Sequence, residues 1–222
     1  MSSPVPFTWK TLIEPKNIGS LLFGGVLLIA GFWAEHIATL YALDYLTRAT
    51  SVYVGDLLLD NLPIINLNLI VVEGALWAIA LSILLLLRHP RKILFTIKAV
   101  AIFIIARAFF ISLTHVGIYP GQIVPSTGLL DAIYSYFNLQ TGYFFSGHVA
   151  LPFLMALIYW HDRTWRYVYL FISFVLGISV LLAHVHYSID VFAAPFMAYG
   201  IFEITRLLFP LDFQYVNTED IS

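Results

Sequence analysis

The sequence predicts an all-α membrane protein, a polytopic bundle of six transmembrane helices. Of its 222 residues, 60% are hydrophobic and only 11% are charged, against roughly 25% charged residues in a typical soluble domain. Six mostly apolar stretches approach the roughly 20 residues that a helix needs to cross a bilayer. This composition excludes a disordered chain, a nucleic-acid-binding module and most water-soluble enzymes, and it makes the lipid bilayer the expected surroundings.

The six predicted spans form one domain, because no internal repeat or charged linker separates them. They cover residues 18–40, 67–87, 93–114, 146–160, 167–184 and 188–208. The fourth and fifth are short, which a span beside a polar cavity tolerates. The membrane domain is therefore expected at 18–208, after a cytoplasmic segment at 1–17 and before a cytoplasmic tail at 209–222.

The placement of lysine and arginine predicts that both termini are cytoplasmic. With this orientation eight basic residues lie at the cytoplasmic ends of the spans and only Arg48 lies outside, which is a strong positive-inside bias. The two longer loops, 43–66 and 115–145, then face the extracytoplasmic side. In the first of them, Asp56 and Asp60 lie four residues apart with leucines between them, a pattern that predicts a helix along the membrane surface.

Charged residues within the predicted spans need a partner or a route to water, since a charge at the bilayer centre costs roughly 3 kcal/mol on insertion scales. Lys98 lies near the cytoplasmic end of its span, where its side chain can extend to the interface. Arg107 lies past the middle of the same span, so we expect a carboxylate partner or a bound anion. Glu73 is interpreted as structural, as the partner of Arg107, or as facing an outward cavity.

Two polar stretches in the last third of the chain contain the candidate catalytic residues His148, His186 and Asp190. His148 opens the fourth span, and the other two residues join the fifth span to the sixth, so all three are expected at the outer face. His186 and Asp190 share one face if the chain is helical there. The carboxylate can then accept the Nδ1 proton of the imidazole and leave Nε2 as a nucleophile or base.

The same stretches predict a phosphate-binding pocket. Spans four and six both begin at this face, and helix N-termini favour anions because of their unpaired N–H groups and the helix dipole. Ser146 offers a hydroxyl group, and Gly147 allows close approach of the backbone to a ligand. Together with Arg107, these residues are the expected substrate-binding groups.

These residues resemble the type 2 phosphatidic acid phosphatase superfamily. The second motif of that superfamily ends in Ser-Gly-His, like Ser146-Gly147-His148, and its third motif ends in His-x-x-x-Asp, like His186 to Asp190. The sequence around His186 is similar to that of the sphingomyelin synthase branch. Ser179-Val180 stands where the third motif usually has Ser-Arg, and that branch also lacks this arginine. Arg107 is followed by alanine, whereas the first motif has Arg-Pro.

The resemblance implies a lipid phosphatase or phosphotransferase that acts on a phospholipid or another lipid phosphate. His186 would attack phosphorus to form a phosphohistidine, with Asp190 fixing its tautomer. His148 would protonate the leaving alcohol and then deprotonate water or an acceptor alcohol. Arg107 would stabilise the charge on the equatorial oxygens, and no metal or other cofactor is expected.

Three other interpretations remain open from the sequence. An intramembrane serine protease would use Ser146 with His184 or His186. A metal site would draw its ligands from His148, His184, His186 and Asp190. A non-catalytic lipid-binding protein would keep the fold without turnover.

Overall fold

The computed structural model describes residues 7–47, 52–113, 115–123 and 144–217. Arg48 and most of the second predicted loop, 124–143, lie outside these residues. The α-helices of the described residues are α1 Trp9–Leu12, α2 Pro15–Thr47, α3 Gly74–Arg88, α4 Ile93–Leu113, α5 Gly147–Ile158, α6 Arg163–Leu182, α7 Ser188–Leu208 and α8 Pro210–Asn217. A π-helix, Leu69–Glu73, leads directly into α3, and a 3-10 turn, Pro90–Lys92, leads into α4.

Within the described residues, five helical segments are long and apolar enough to cross a membrane, in agreement with a helical membrane protein. They are Pro15–Tyr45, Leu69–Arg88, Pro90–Leu113, Arg163–Leu182 and Ser188–Leu208. The predicted fourth span corresponds to α5, which has only 12 residues. Twelve residues rise about 18 Å, less than the roughly 30 Å of a hydrocarbon core.

Helix α5 lies at the centre of the bundle. It packs against α6 and α7, while α2 lies along α4. Ala150, Leu154 and Ala156 on α5 are completely buried in the main apolar core. Large apolar side chains such as Phe171 and Phe196 instead point outward from α6 and α7. The outer helices therefore present the lipid-facing surface, and α5 is shielded by protein over most of its length.

Lys98 is paired inside the bundle and does not extend to the interface as predicted. Its side chain is only 1% exposed, and Nζ donates hydrogen bonds to the carboxylate of Asp212 and the hydroxyl of Ser20. The ammonium group also lies 4.9 Å from the ring centre of Phe209. Asp212 belongs to α8, so part of the segment interpreted as a tail is a helix attached to the bundle by a buried ion pair.

The predicted surface helix at Asp56–Asp60 is wrong. Residues 57–61 form a single hydrogen-bonded turn, closed by the 2.8 Å bond from the Asp60 N–H to the Asp56 carbonyl. Asp56 is buried against the start of α7, where its carboxylate accepts the Ser188 N–H. The two acids therefore stabilise a turn and do not form one face of a longer helix.

Candidate functional site

His148 and His186 face each other across the N-terminal ends of α5 and α7. Their ring centres are 5.8 Å apart, and the ring planes are inclined by 69°. His148 lies in the first turn of α5, and His186 lies in the short connection between α6 and α7. The two residues predicted to share a catalytic site are thus brought together, at one wall of a common cavity.

The end of α6 explains how the chain turns toward His186. His184 has a φ of 54°, the left-handed conformation in which helices commonly end. The N–H of His184 bonds to the Leu181 carbonyl at 3.0 Å, and that of Val185 bonds to the Val180 carbonyl at 2.9 Å. This is the hydrogen-bond pattern of a Schellman motif. His184 is therefore a turn residue, and its ring packs edge-on to Tyr119 away from the histidine pair.

Asp190 connects the two sequence motifs. Its Oδ2 lies 3.6 Å from Nδ1 of His186, which is within ion-pair range but longer than a hydrogen bond. The same oxygen accepts the Tyr187 N–H at 3.2 Å. The main-chain carbonyl of Asp190 accepts the N–H of Ser146 at 3.0 Å. One residue thus orients His186 and also fixes the start of α5 beside the start of α7.

Arg107 pairs with Glu35 of α2, whereas Glu73 is half-buried at the end of the π-helix. Nε of Arg107 donates to Oε1 of Glu35 at 3.0 Å, and Nη1 donates to the Phe145 carbonyl at 2.6 Å. These bonds use two of the five N–H donors of a guanidinium. The expected carboxylate partner exists, but sequence analysis did not identify it. The only indication of Glu35 in the sequence is that it is an acidic residue inside the first predicted span.

Gly147 lies directly against the Arg107 guanidinium. A Cβ atom at this position would be 3.3 Å from Nη1 and 3.6 Å from Cζ. The glycine therefore lets the cation lie close to the start of α5, as its predicted role in binding requires. The cation also lies 5.8 Å from the ring centre of Phe145, which helps to fix its position.

The Ser146 hydroxyl is not placed as a nucleophile. Ser146 is completely buried, its side chain does not cap α5, and within the described residues Oγ has no hydrogen-bond partner. A serine protease needs a hydroxyl hydrogen-bonded to a base. The described part of the chain therefore gives no support to a dyad of Ser146 with His184 or His186.

The two helix N-termini differ, although both were expected to favour a bound anion. At α7, the Ser188 N–H donates to Oδ2 of Asp56 at 2.7 Å, and the Tyr187 N–H donates to Asp190. The protein's own carboxylates thus fill this end. At α5, the N-cap residue Ser146 makes no side-chain cap hydrogen bond, and Arg107 lies beside the first turn. Only the α5 end combines an uncapped helix start with a nearby cation.

A cavity of about 260 Å³ extends from this polar cluster into the bundle. Its polar end contains Glu35, Arg107, His148 and His186, and its far end contains Ser82 and Tyr169, whose hydroxyl oxygens are 2.8 Å apart. Most of the remaining lining is apolar: Phe32, Ala75, Leu76, Ala78, Ile79, Val100, Phe103, Ile104, Leu151, Pro152, Leu176 and Val185. The arrangement suits a ligand with one charged end and an apolar chain.

A metal site would require at least three donor side chains close together. Among residues 7–47, 52–113, 115–123 and 144–217, no three His, Asp or Glu side chains are grouped so as to hold a metal ion. His184 and His186 follow a left-handed turn and diverge, since the His184 ring packs on Tyr119 while His186 lines the cavity. The described residues therefore give the metal-site interpretation no support.

The chain matches no family model, no curated protein and no solved structure. Its function is therefore inferred from the chemistry of the cavity.

Proposed function

We propose that the protein is an integral-membrane lipid phosphatase or phosphotransferase, similar to the type 2 phosphatidic acid phosphatases, that acts through a phosphohistidine. The observation that carries this proposal is the facing pair His148 and His186, 5.8 Å apart between ring centres, with Arg107 at the same polar end of an apolar cavity. A phosphoryl group placed between two imidazoles can be attacked from one side and lose its leaving group on the other. No metal or cofactor is part of this proposal.

The proposed topology has six spans, with α5 as a short central one. Lys98 and Arg107 lie nine residues apart on α4, which corresponds to roughly 14 Å along the helix axis. Lys16 lines a second cavity with Lys98 and Asp212, so basic residues accumulate at the end of the bundle away from the histidines. The positive-inside rule then assigns that end to the cytoplasm and the histidine pair to the extracytoplasmic side.

In the first chemical step, Nε2 of His186 attacks phosphorus. The bond between phosphorus and the lipid oxygen breaks, and its electron pair leaves on that oxygen. Protonated His148 donates a proton to the leaving oxygen, which departs as an alcohol. Asp190 faces Nδ1 of His186 at 3.6 Å and stabilises the positive charge that develops on the imidazole. The product is a phosphoryl group bonded to Nε2, with any remaining head group still attached.

In the second step, water or an acceptor alcohol attacks phosphorus. Neutral His148 accepts the proton of the attacking hydroxyl, and the bond from Nε2 to phosphorus breaks with its electron pair returning to the imidazole. Water gives hydrolysis, and a lipid hydroxyl gives transfer. Both outcomes restore His186 and return a proton to His148, so the site is ready for the next turnover.

Arg107 supplies the fixed positive charge for the phosphoryl oxygens. Two hydrogen bonds, to Glu35 and to the Phe145 carbonyl, hold the guanidinium in place before a substrate binds. Three further N–H donors are available in a guanidinium beyond those two. Donors that are already oriented stabilise a transition state without the cost of reorganisation.

The cavity walls support access of a lipid chain from the membrane. Phe32 on α2 and Ile79 on α3 line the cavity and also carry substantial exposed surface. Helix α2 packs along α4, whereas α3 packs against α5 and α6. A chain entering between α2 and α3 would place its phosphate next to His148. The volume of about 260 Å³ is below the roughly 300–1,000 Å³ of drug-sized ligand sites, so part of such a lipid remains in the bilayer.

The decisive test is to incubate the purified protein with a panel of phospholipids, with and without a lipid alcohol acceptor. Inorganic phosphate and new lipid are both measured, and the protein is denatured at alkaline pH, where a phosphohistidine survives. We expect His186→Ala to abolish turnover and the phosphoenzyme, and His148→Ala to slow turnover by about 10²–10⁴-fold. His161→Ala is the matched control, because His161 is exposed after the end of α5.

Two results would overturn the proposal. Normal phosphate release by His186→Ala would exclude the phosphohistidine. Absence of turnover on every lipid, with orthovanadate still bound at the site, would favour a non-catalytic lipid-binding protein.

A further inference from the structure

The first long loop is bonded to the start of α7 through one carboxylate. Oδ2 of Asp56 accepts the N–H of Ser188 at 2.7 Å. Oδ1 accepts the N–H groups of Leu58 and Leu59 at 2.9 and 3.2 Å. Both oxygens are therefore occupied by backbone donors, one set within the loop and one on the helix.

The loop is itself fixed by a second acid and a tyrosine. Oδ2 of Asp60 accepts the Asp56 N–H at 3.1 Å, and Oδ1 accepts the Tyr119 hydroxyl. The Tyr187 hydroxyl accepts the Val54 N–H at 3.3 Å. Asp56 is therefore held by its neighbours and is not a freely moving surface side chain.

Asp56 carries its charge at neutral pH. Burial acts to raise the pKa of Asp56, but the N–H groups of Ser188 and Leu59 hold that pKa below its usual value. The positive end of the α7 dipole also favours a carboxylate at this position. The contact with α7 is thus a charge-assisted hydrogen bond, which is stronger than a neutral one.

We propose that Asp56 is a positioning residue, which acts through Ser188 to keep Nδ1 of His186 facing Asp190 and Nε2 facing the cavity. This inference rests on the proposed function for what His186 then does. Asp56 itself does not line the cavity and is not assigned any contact with substrate.

The geometry explains why this bond matters for the catalytic pair. Ser188 lies between His186 and Asp190, at the first position of α7. The separation of Nδ1 and Oδ2 is already 3.6 Å, so a small movement of the helix start would weaken the control of the tautomer. A misplacement of about 1 Å can reduce turnover about 100-fold.

Two variants weaken the contact between Asp56 and Ser188 from opposite sides. In Asp56→Asn, the amide has only one acceptor oxygen. Both oxygens of Asp56 accept hydrogen bonds from backbone N–H groups, which can only donate, so one of these bonding positions is lost. In Ser188→Pro, the donor itself is lost, but proline is well tolerated at the first helical position. The preceding Tyr187 has a φ of −65° and a ψ of 154°, which is compatible with a following proline.

Asp60→Asn is the matched control in the same turn. Its amide oxygen can still accept the Asp56 N–H, and its NH₂ group can donate to the Tyr119 hydroxyl oxygen. Both partners of Asp60 thus keep a hydrogen bond to residue 60, with the direction of the Tyr119 bond reversed. We expect Asp60→Asn to keep wild-type turnover and a wild-type state of His186.

The test combines kinetics with the tautomer of His186. In protein labelled with ¹⁵N-histidine, the His186 signals are assigned by their loss in His186→Gln. We expect wild-type protein to carry the neutral proton on Nδ1, and Asp56→Asn and Ser188→Pro to show a mixture of tautomers. On the active lipid, kcat should fall about 10- to 100-fold in both variants, while KM stays nearly constant.

The inference would be overturned if the His186 tautomer were unchanged in both variants, or if only KM changed while kcat stayed constant. If either variant unfolds, the other one decides, and thermal unfolding in detergent identifies that case. The tautomer measurement needs no turnover. Failure of the proposed function would therefore appear as an inactive wild-type protein, and failure of this inference as an unperturbed His186.

Discussion

Replacing Gly147 with alanine tests whether the Arg107 guanidinium must lie against the start of α5. The new Cβ would be 3.3 Å from Nη1, 3.6 Å from Cζ and 3.9 Å from Nε. The first distance is tighter than ordinary van der Waals contact, so the guanidinium must shift by a few tenths of an ångström. Glu35 and the Phe145 carbonyl hold it at 3.0 and 2.6 Å, so it cannot move without weakening these bonds.

The expected cost falls on activity and not on stability. A hydrogen bond to a charged group contributes about 1.5–3 kcal/mol, and partial loss of one bond from Arg107 to the phosphoryl oxygens corresponds to about 1–2 kcal/mol. This predicts a fall of about 5- to 30-fold in kcat/KM. Because the helix propensity gained by alanine, about 0.5–1 kcal/mol, offsets the weakened bonds of Arg107, the variant should unfold close to the wild-type temperature.

The assay compares kcat/KM on the active lipid with thermal unfolding in the same detergent. Gly200→Ala on α7 is the control, since a Cβ there has nothing within 4 Å. That variant should keep full activity and gain about 0.5–1 kcal/mol of stability from helix propensity. Equal kcat/KM values for the two alanine variants would refute the assigned position of Arg107.

Three further predictions concern charges and backbone outside the histidine pair. Glu35→Gln keeps an oxygen for the Nε–H of Arg107 but removes a negative charge from the cavity. Orthovanadate should therefore inhibit this variant at least about threefold more strongly than the wild type. Weaker inhibition would show that the ion pair must stay intact. His184→Val places a β-branched residue at a φ of 54° and should cost about 1–2 kcal/mol of stability. His184→Gly loses the ring contact with Tyr119 but relieves the backbone, so it should unfold at a higher temperature than His184→Val; equal unfolding temperatures would contradict the turn role. Asp212→Ala leaves the Lys98 ammonium buried without its carboxylate and should cost about 3–5 kcal/mol of stability. Adding Lys98→Met should restore most of the lost stability, as measured by thermal unfolding. If the second substitution restores nothing, Asp212 stabilises α8 in another way.

Local spacing was sufficient to place the histidines. His186 and Asp190 are four residues apart and lie within ion-pair range, although His186 lies in the connection before α7 and not in the helix itself. His148 opens another helix at the same face, and the hydropathy of the spans set that depth. The hydrogen bond from Ser146 to the Asp190 carbonyl then brings the two starts together, a contact that the sequence could not specify.

Side-chain partners from distant segments could not be identified from the sequence. Arg107 required a carboxylate, but Glu35 and Glu73 both lie in predicted spans, and only the packing of α2 along α4 selects Glu35. The same holds for Asp56, whose partner Ser188 is 132 residues away. Hydropathy gives approximate depth but does not show which helix faces which.

The length of the fourth span was the other limit. An apolar run bounded by polar residues fits a membrane span, but it also fits a short helix enclosed by its neighbours. Helix α5 is enclosed by its neighbours, since Ala150 and Leu154 are completely buried among other helices. A helix that is buried by protein does not need to match the thickness of the bilayer. No pattern within the segment indicates that the helix is buried in this way.

The pairing of Lys98 with Asp212 imposes an order on assembly at the ribosome. The two residues are 114 positions apart, so α4 enters the membrane well before its counterion has been synthesised. During that interval the ammonium group can only remain hydrated at the interface, which it reaches from its place near the helix end. Docking of α8 then draws the charge inward, and closure of this end of the bundle becomes a late event in the maturation of the chain.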